Sequence, residues 1–296
     1  MAMQSGRAAA FKPRGAGRGQ SLLGRLSRRT LLYLTLAVIL VVQFLPLLWA
    51  LLTSLMTPQE TTAIPAPLLP AHPTLSSYRE ALQGDIGRYY LNSVIASLAS
   101  TLITMVLATL AAYAFARLRF RWKRLLLLFV VSISLFPPFS QVIPLYVLLQ
   151  GMHLIGTLLA LILPYSVFGL PLAILILMAF FQEVPLEFEE AATLDGMSRL
   201  GAFLRIVLPM TIPGLFTTAV IVFVGDWNEY LFALNYTTTA TYTLPVGIVI
   251  LSQTEFTTNF GVLSAAMIMS VVPLVALILL LERRIVSGLT AGGLKG

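Results

Sequence analysis

Apolar residues in this chain do not alternate or form narrow stripes; they run on. Hydrophobic stretches occupy 31–52, 90–116, 125–148, 157–180, 211–233 and 262–281, each close to the ~20 helical residues needed to cross a bilayer. The pattern predicts an all-α integral membrane protein with six transmembrane helices. It divides the chain into a disordered tail at 1–29, a first span and outer loop at 30–88, a core of spans two to six at 89–282, and a closing tail at 283–296.

Composition agrees with lipid as the main solvent. The 296 residues are 58% hydrophobic and 10% charged, where a soluble domain carries about a quarter charged residues. The absence of cysteine excludes disulfides, thiol catalysis and cysteine metal sites. The net charge of +7 follows the membrane and needs no nucleic-acid partner. Seventeen Lys and Arg residues fall in the N-terminal tail, the loop after span two (Arg117, Arg119, Arg121, Lys123, Arg124), the loop after span four and the C-terminal tail, against only Arg79 and Arg88 in the opposite loops. Basic loops stay cytoplasmic, so both termini are expected inside the cytoplasmic (inner) membrane, with anionic membrane lipid as a partner for the basic tail. The first apolar stretch exceeds the 7–15 residues of a cleaved signal and reads as a retained anchor.

Several polar features interrupt the spans. Ser93, Ser97, Ser100 and Thr104 share one helix face, for tight packing through small residues or for lining a solute path. Pro137, Pro138 and Pro144 in span three, with Pro164 and Pro171 in span four, remove backbone donors and point to broken helices around a cavity near mid-membrane. Asp226, Trp227, Asn228 and Glu229 close span five, with the two carboxylates three apart on one face. Such groups face the interior or water, so they are solute-pathway candidates or hydrogen-bonding partners of a neighbouring helix. Outside, five prolines keep 57–89 extended, Ser77 and Glu80 have capping-box spacing, and 235–261 is polar and Thr-rich.

The loop at 181–210 carries seven charges, more than a connector needs. Pro185 suits a first helical turn, Glu187, Glu189 and Glu190 suit a helix N-terminus, and Gly196 suits a left-handed stop. Ser198 then caps a second helix that Pro209 ends. The run EEAATLDGMSRLGAFLRIVLP at 189–209, with Glu190, Ala191, Ala192, Gly196, Ile206, Leu208 and Pro209 at the diagnostic spacing, resembles the cytoplasmic loop of permeases in binding-protein-dependent ABC importers. PTLSSYREAL, AYAFARLRF, WNEYLFAL and RRIVSGLTAGGLKG are similar to its carbohydrate branch, the maltose-type six-span permeases.

That resemblance implies the type I ABC importer permease fold and a transport subunit without catalytic residues. Coupling to an ATPase would involve Glu190, Ala191, Ala192, Asp195, Gly196, Leu208 and Pro209, with the tail residues Thr290, Ala291, Gly292, Gly293 and Lys295 reaching the ATPase. The implied partners are a second permease subunit, two copies of an ABC ATPase that bind ATP and Mg in place of this chain, an extracytoplasmic solute-binding protein contacting 235–261, and a small-molecule sugar. WNEYLFAL differs from the matching stretch of maltose permeases and is closer to those for other sugars or glycerol phosphate, so glycerol-3-phosphate is the alternative solute. An ion-coupled secondary transporter would be expected to show inverted repeats and midplane carboxylates; the chain has no clear internal repeat and a single acidic cluster. An enzyme finds no support in His72 and His153, which lack metal-ligand spacing.

Overall fold

A computed structural model describes the backbone of residues 22–252 and 259–293, and the side chains of 30–251 and 259–279. Helix α1 (Leu22–Ser54) begins inside the stretch expected as disordered tail, because 22–29 mixes Leu and Arg, both good helix formers, with a single glycine. By itself α1 is a long apolar rod, exposed along 30–49 as a lipid-facing span would be.

The second unit, 50–296, opens with α2 (Pro58–Thr61) and α3 (Ser76–Gln83). The capping box lies at Thr57 and Glu60, not at Ser77 and Glu80 as spacing implied: Ser77 is buried inside α3, which has no side-chain cap. Glu60 also accepts from the Ala71 amide (2.9 Å) and the His72 amide (3.2 Å), so one carboxylate pins both ends of the proline-rich segment. These hydrogen bonds, with the Thr57 amide foremost, hold its pKa below the ordinary glutamate value.

Helix α4 (Asp85–Arg117) and α7 (Leu159–Glu183) lie side by side and parallel: Thr104 donates to the Ser166 carbonyl near one end, and Arg117 donates to the Val184 carbonyl at the other. The expected hydroxyl stripe serves more than this seam: Thr104 and the Ser100 carbonyl bond Ser166, while Ser93 accepts from the Leu244 amide (2.8 Å) and the Ser100 hydroxyl donates to Asp226. Ser93, Ser97, Ser100 and Thr104 are all buried, as tight packing in lipid requires. Helix α11 (Ile212–Trp227) runs antiparallel to α4, with Asp226 at Ser100. At its other end, Gly214 lies so close to the Phe180 ring that any Cβ would collide. Helix α14 (Phe260–Gly293) covers α11, where Trp227 donates to the Ser270 carbonyl (3.1 Å).

Spans three and five differ from unbroken helices. Span three is α5 (Lys123–Ile133) and α6 (Pro138–Gly151), bent by 95° at the Pro137–Pro138 step, where two consecutive residues lack N–H groups. Span four, despite Pro164 and Pro171, stays one helix. Span five stops at Trp227; a turn follows, then α12 (Leu231–Tyr236) and α13 (Leu244–Ser252). Asp226 and Glu229 therefore do not share a helix face. Among the described residues, four unbroken helices are long and apolar enough to span a membrane, and counting each of two bent pairs as one span gives six.

Gly214→Val is expected to cost about 1–3 kcal/mol by forcing α7 and α11 apart, read as a lowered unfolding midpoint in detergent; an unchanged midpoint would refute that contact. Glu60 makes a second prediction. A lowered carboxylate pKa stabilises the loop above its unfolded-state pKa, and the effect is lost as pH falls through the lowered value. The protection factors of the Ala71 and His72 amides, measured against the intrinsic rate at each pH, should fall on acidification below the ordinary 4.5 of a glutamate, and Glu60→Gln should show reduced protection already at neutral pH.

Candidate functional site

The 181–210 loop folds mostly as its residues dictate. After α7, Val184 is extended and Pro185 precedes the N-cap Leu186, just outside the first turn of α8 (Glu187–Leu194). Three glutamates occupy the α8 N-terminus, where the helix dipole favours negative charge. At its other end the Met197 amide bonds the Ala192 carbonyl and the Gly196 amide bonds the Thr193 carbonyl, the paired bonds of a Schellman stop. Gly196 has φ +83°, and a Cβ there would meet nothing within 4 Å. Backbone conformation, not crowding within this chain, makes it a glycine position.

Ser198 accepts from the Gly201 amide (3.1 Å) and caps α9 (Arg199–Ala202), as its position predicted. The helical run does not end at Pro209. It widens into a π turn at Phe203–Val207, where the Leu208 amide reaches the Phe203 carbonyl, and continues through α10 (Leu208–Met210) before a 74° bend into α11. Pro209 has no N–H to return to the preceding turn, and a π bulge is a common way for a helix to absorb such a fault.

A buried ion pair fastens the loop to the bundle. Arg117 at the end of α4 lies 2.6 Å from Glu189, both side chains nearly out of solvent (11% and 13% exposed). Tyr113 donates to the other Glu189 oxygen (2.8 Å), and its ring packs on Phe203 at 4.3 Å. Phe181, Phe203 and Val207 complete the apolar floor. Ala192 turns inward onto the bundle and is buried, so it is an anchor and not, as spacing implied, half of an outward small pair. Leu208 packs against the same floor. Facing away are Glu190, Ala191, Asp195, Gly196 and Pro209, beside Phe188, Leu200 and a Leu194 that is 89% exposed. Exposed apolar side chains grouped among acids mark an interaction surface. Sequence reasoning counted Arg117 only as a topological charge and missed Tyr113; the stretch AYAFARLRF that holds both was the available signal.

The acidic cluster is split by the structure. Ser100 lies 2.5 Å from Asp226, tying α11 to α4. Trp227 is buried. Glu229 accepts from Tyr165 (2.6 Å) and from the amides of Phe232 (2.8 Å) and Ala233 (3.1 Å), so from one residue before the N-cap Tyr230 its carboxylate satisfies first-turn amides of α12. Only Asn228 is exposed, its amide donating back to the Val224 carbonyl. Of the tail candidates, the α14 backbone reaches Gly293, while the side chains of Thr290, Ala291, Gly292 and Gly293, and Lys295 altogether, lie outside the described residues.

Residues 105–290 match the family described as the binding-protein-dependent transport system inner membrane component. The chain is 40% identical over 272 residues to a sulfoquinovosyl glycerol transport system permease protein of Agrobacterium fabrum, covering 91% of this chain and 95% of that one. It is 39% identical to a trehalose transport system permease protein of Mycobacterium tuberculosis, covering 85% and 92%. In fold it is similar to a chain of a bacterial ABC transporter involved in the import of the polysaccharide alginate, with a TM-score of 0.75 at 17% identity, covering 92% and 99%.

Glu189→Ala and Arg117→Met should each cost about 3–5 kcal/mol, because each strands a buried charge, whereas Glu190→Ala, on the exposed edge, should stay within about 0.5 kcal/mol. Thermal unfolding of the purified protein in detergent distinguishes them; equal effects would refute the anchoring role of the pair.

Proposed function

Because this chain belongs to the family of binding-protein-dependent transport system inner membrane components, we propose that it is a permease subunit of an ABC importer, forming half of the pathway by which a sugar crosses the cytoplasmic membrane. Its relatives' named solutes, sulfoquinovosyl glycerol and trehalose, support a sugar. A second permease completes the pathway, a binding protein delivers the sugar from outside, and two ATPase subunits bind ATP and magnesium. The seventeen-to-two bias of basic residues supports both termini being cytoplasmic.

The observation that carries this reading is the outward edge of α8. A short helix with Glu190, Ala191, Asp195 and Gly196 exposed on it is bolted through Glu189 to Arg117 at the foot of α4. A partner gripping that edge moves α4 and α7 with it, because the ion pair and the Tyr113–Phe203 contact leave the loop little independent freedom. In this reading Glu190, Ala191, Asp195, Gly196 and Pro209 meet the ATPase, Ala192 and Leu208 hold the lever to the bundle, and Thr290, Ala291, Gly292, Gly293 and Lys295 reach toward the ATPase dimer. Asn228 faces the pathway, while Asp226, Trp227 and Glu229 support it from within.

The test is uptake by the complete complex in liposomes. Gly196→Trp is expected to insert in the membrane yet to abolish ATP-driven uptake, since a left-handed non-glycine residue costs about 1–2 kcal/mol and an indole would occupy the docking edge. Normal uptake in that variant, or sugar transport by this chain alone under an ion gradient without ATP, would overturn the reading.

A further inference from the structure

We infer that the cavity at the α5–α6 break is a sugar-ring subsite of this subunit; this rests on the sugar-import reading and specifies where within the chain the solute is held. The cavity measures about 490 Å³ and is lined by Ser134, Phe136, Gln141, Phe168, Leu172 and Phe232 among others, a volume within the ~300–1,000 Å³ of small-molecule sites.

Three observations identify its occupant. First, α5 carries the chain about 16 Å from the basic loop at ~1.5 Å per residue, roughly half the ~30 Å hydrocarbon thickness. There the backbone of 134–137 is non-helical and exposed, with Leu135 at 77% and Phe136 at 62%. Irregular backbone does not face lipid at that depth; it lies against protein or lines a watered cavity. Pro137 and Pro138 have no N–H to return to the preceding turn; the Ile133 carbonyl is taken by the Phe136 amide (3.4 Å), and the Ser134 carbonyl is the acceptor that Pro138 leaves without a helical donor.

Second, the polar side chains at the break have unused capacity. Gln141 spends one N–H on the Phe136 carbonyl (3.0 Å), keeping a second donor and its carbonyl oxygen. Ser134, which also lines the cavity, adds a hydroxyl. Third, Phe168 and Phe232 stack at 5.3 Å as an apolar wall, and the amides of Phe232 and Ala233 are capped by Glu229. A pyranose ring has this dual character, C–H faces for the aromatic wall and a rim of hydroxyls for the Gln141 amide and for the hydroxyl and carbonyl of Ser134. No charged residue lines the cavity among the described residues, so what it seats is an uncharged ring, any anionic substituent of the solute lying outside it. Glu229 is thereby a positioning residue acting through α12 and Phe232.

The chain has no cysteine, so single thiols report directly. Ser134→Cys and Gln141→Cys, with Leu45→Cys on α1 as a lipid-facing control, are made in the complete complex. Each is treated with a water-soluble methanethiosulfonate, and modification of this chain is read by mass. Uptake of trehalose, maltose and sulfoquinovosyl glycerol by the unsubstituted complex is measured in parallel. Ser134→Cys and Gln141→Cys are expected to react, and a transported sugar, with binding protein and ATP in the absence of magnesium, to slow at least one of them ~10-fold, as when about nine sites in ten are occupied; Leu45→Cys should not react. If the complex imports sugar but neither thiol reacts, or neither is slowed, or Leu45→Cys reacts as fast as they do, the subsite is wrong and the import reading stands. ATP-driven uptake of none of the three sugars would defeat the import reading and the subsite together.

Discussion

In hydrocarbon no water completes a broken hydrogen bond, and that constraint organises this molecule. A backbone group left unpaired at membrane depth costs several kcal/mol, so every departure from plain helix needs a local remedy. The hydroxyls of α4 are one: Ser100 and Thr104 are spent on Asp226 and on the Ser166 carbonyl, leaving a seam of small side chains along which α4 and α7 approach closely. Glu229 is another, its carboxylate closing the open amides where α12 restarts after the turn. The α5–α6 break has its own, Gln141 donating to the Phe136 carbonyl and Ser140 to the Pro137 carbonyl, and the cavity lies beside it.

The same economy governs the 181–210 loop, but with water on one side. Its inner face is tied down by Glu189, Ala192, Phe203 and Val207; its outer face keeps Glu190, Ala191 and Asp195 free. A single short helix therefore has two assignments separated by about half a turn. Glu189 and Glu190 are adjacent in sequence and chemically alike, yet one is a nearly buried anchor and the other lies exposed on the outer edge. A buried Arg–Glu pair is poor at adding stability relative to apolar packing but severe when broken, so it fixes where the loop sits on the bundle more than how stable the bundle is.

Span count, the all-α class, the prolines that break span three, the Ser198 cap and the left-handed Gly196 were legible in the chain because each follows from local chemistry: run length, missing donors, side-chain reach, φ preference. The family was legible for the same reason, its motif being a contiguous pattern of spacing. Pro164 and Pro171 show where local reading overreaches. They carry the same missing donors as Pro137 and Pro138, yet α7 stays whole and is buried along much of its length, where α5 has no buried residue.

What only the tertiary structure decided is direction. Sequence put Asp226, Trp227, Asn228 and Glu229 together as one candidate group; folding sent them to Ser100, to Ser270, outward, and to the start of α12. Likewise Ala191 and Ala192 look equivalent until the helix is set on Tyr113 and Phe203. Facing is a property of the neighbours that pack against a residue, and those neighbours lie tens of residues away along the chain, so no local pattern encodes it.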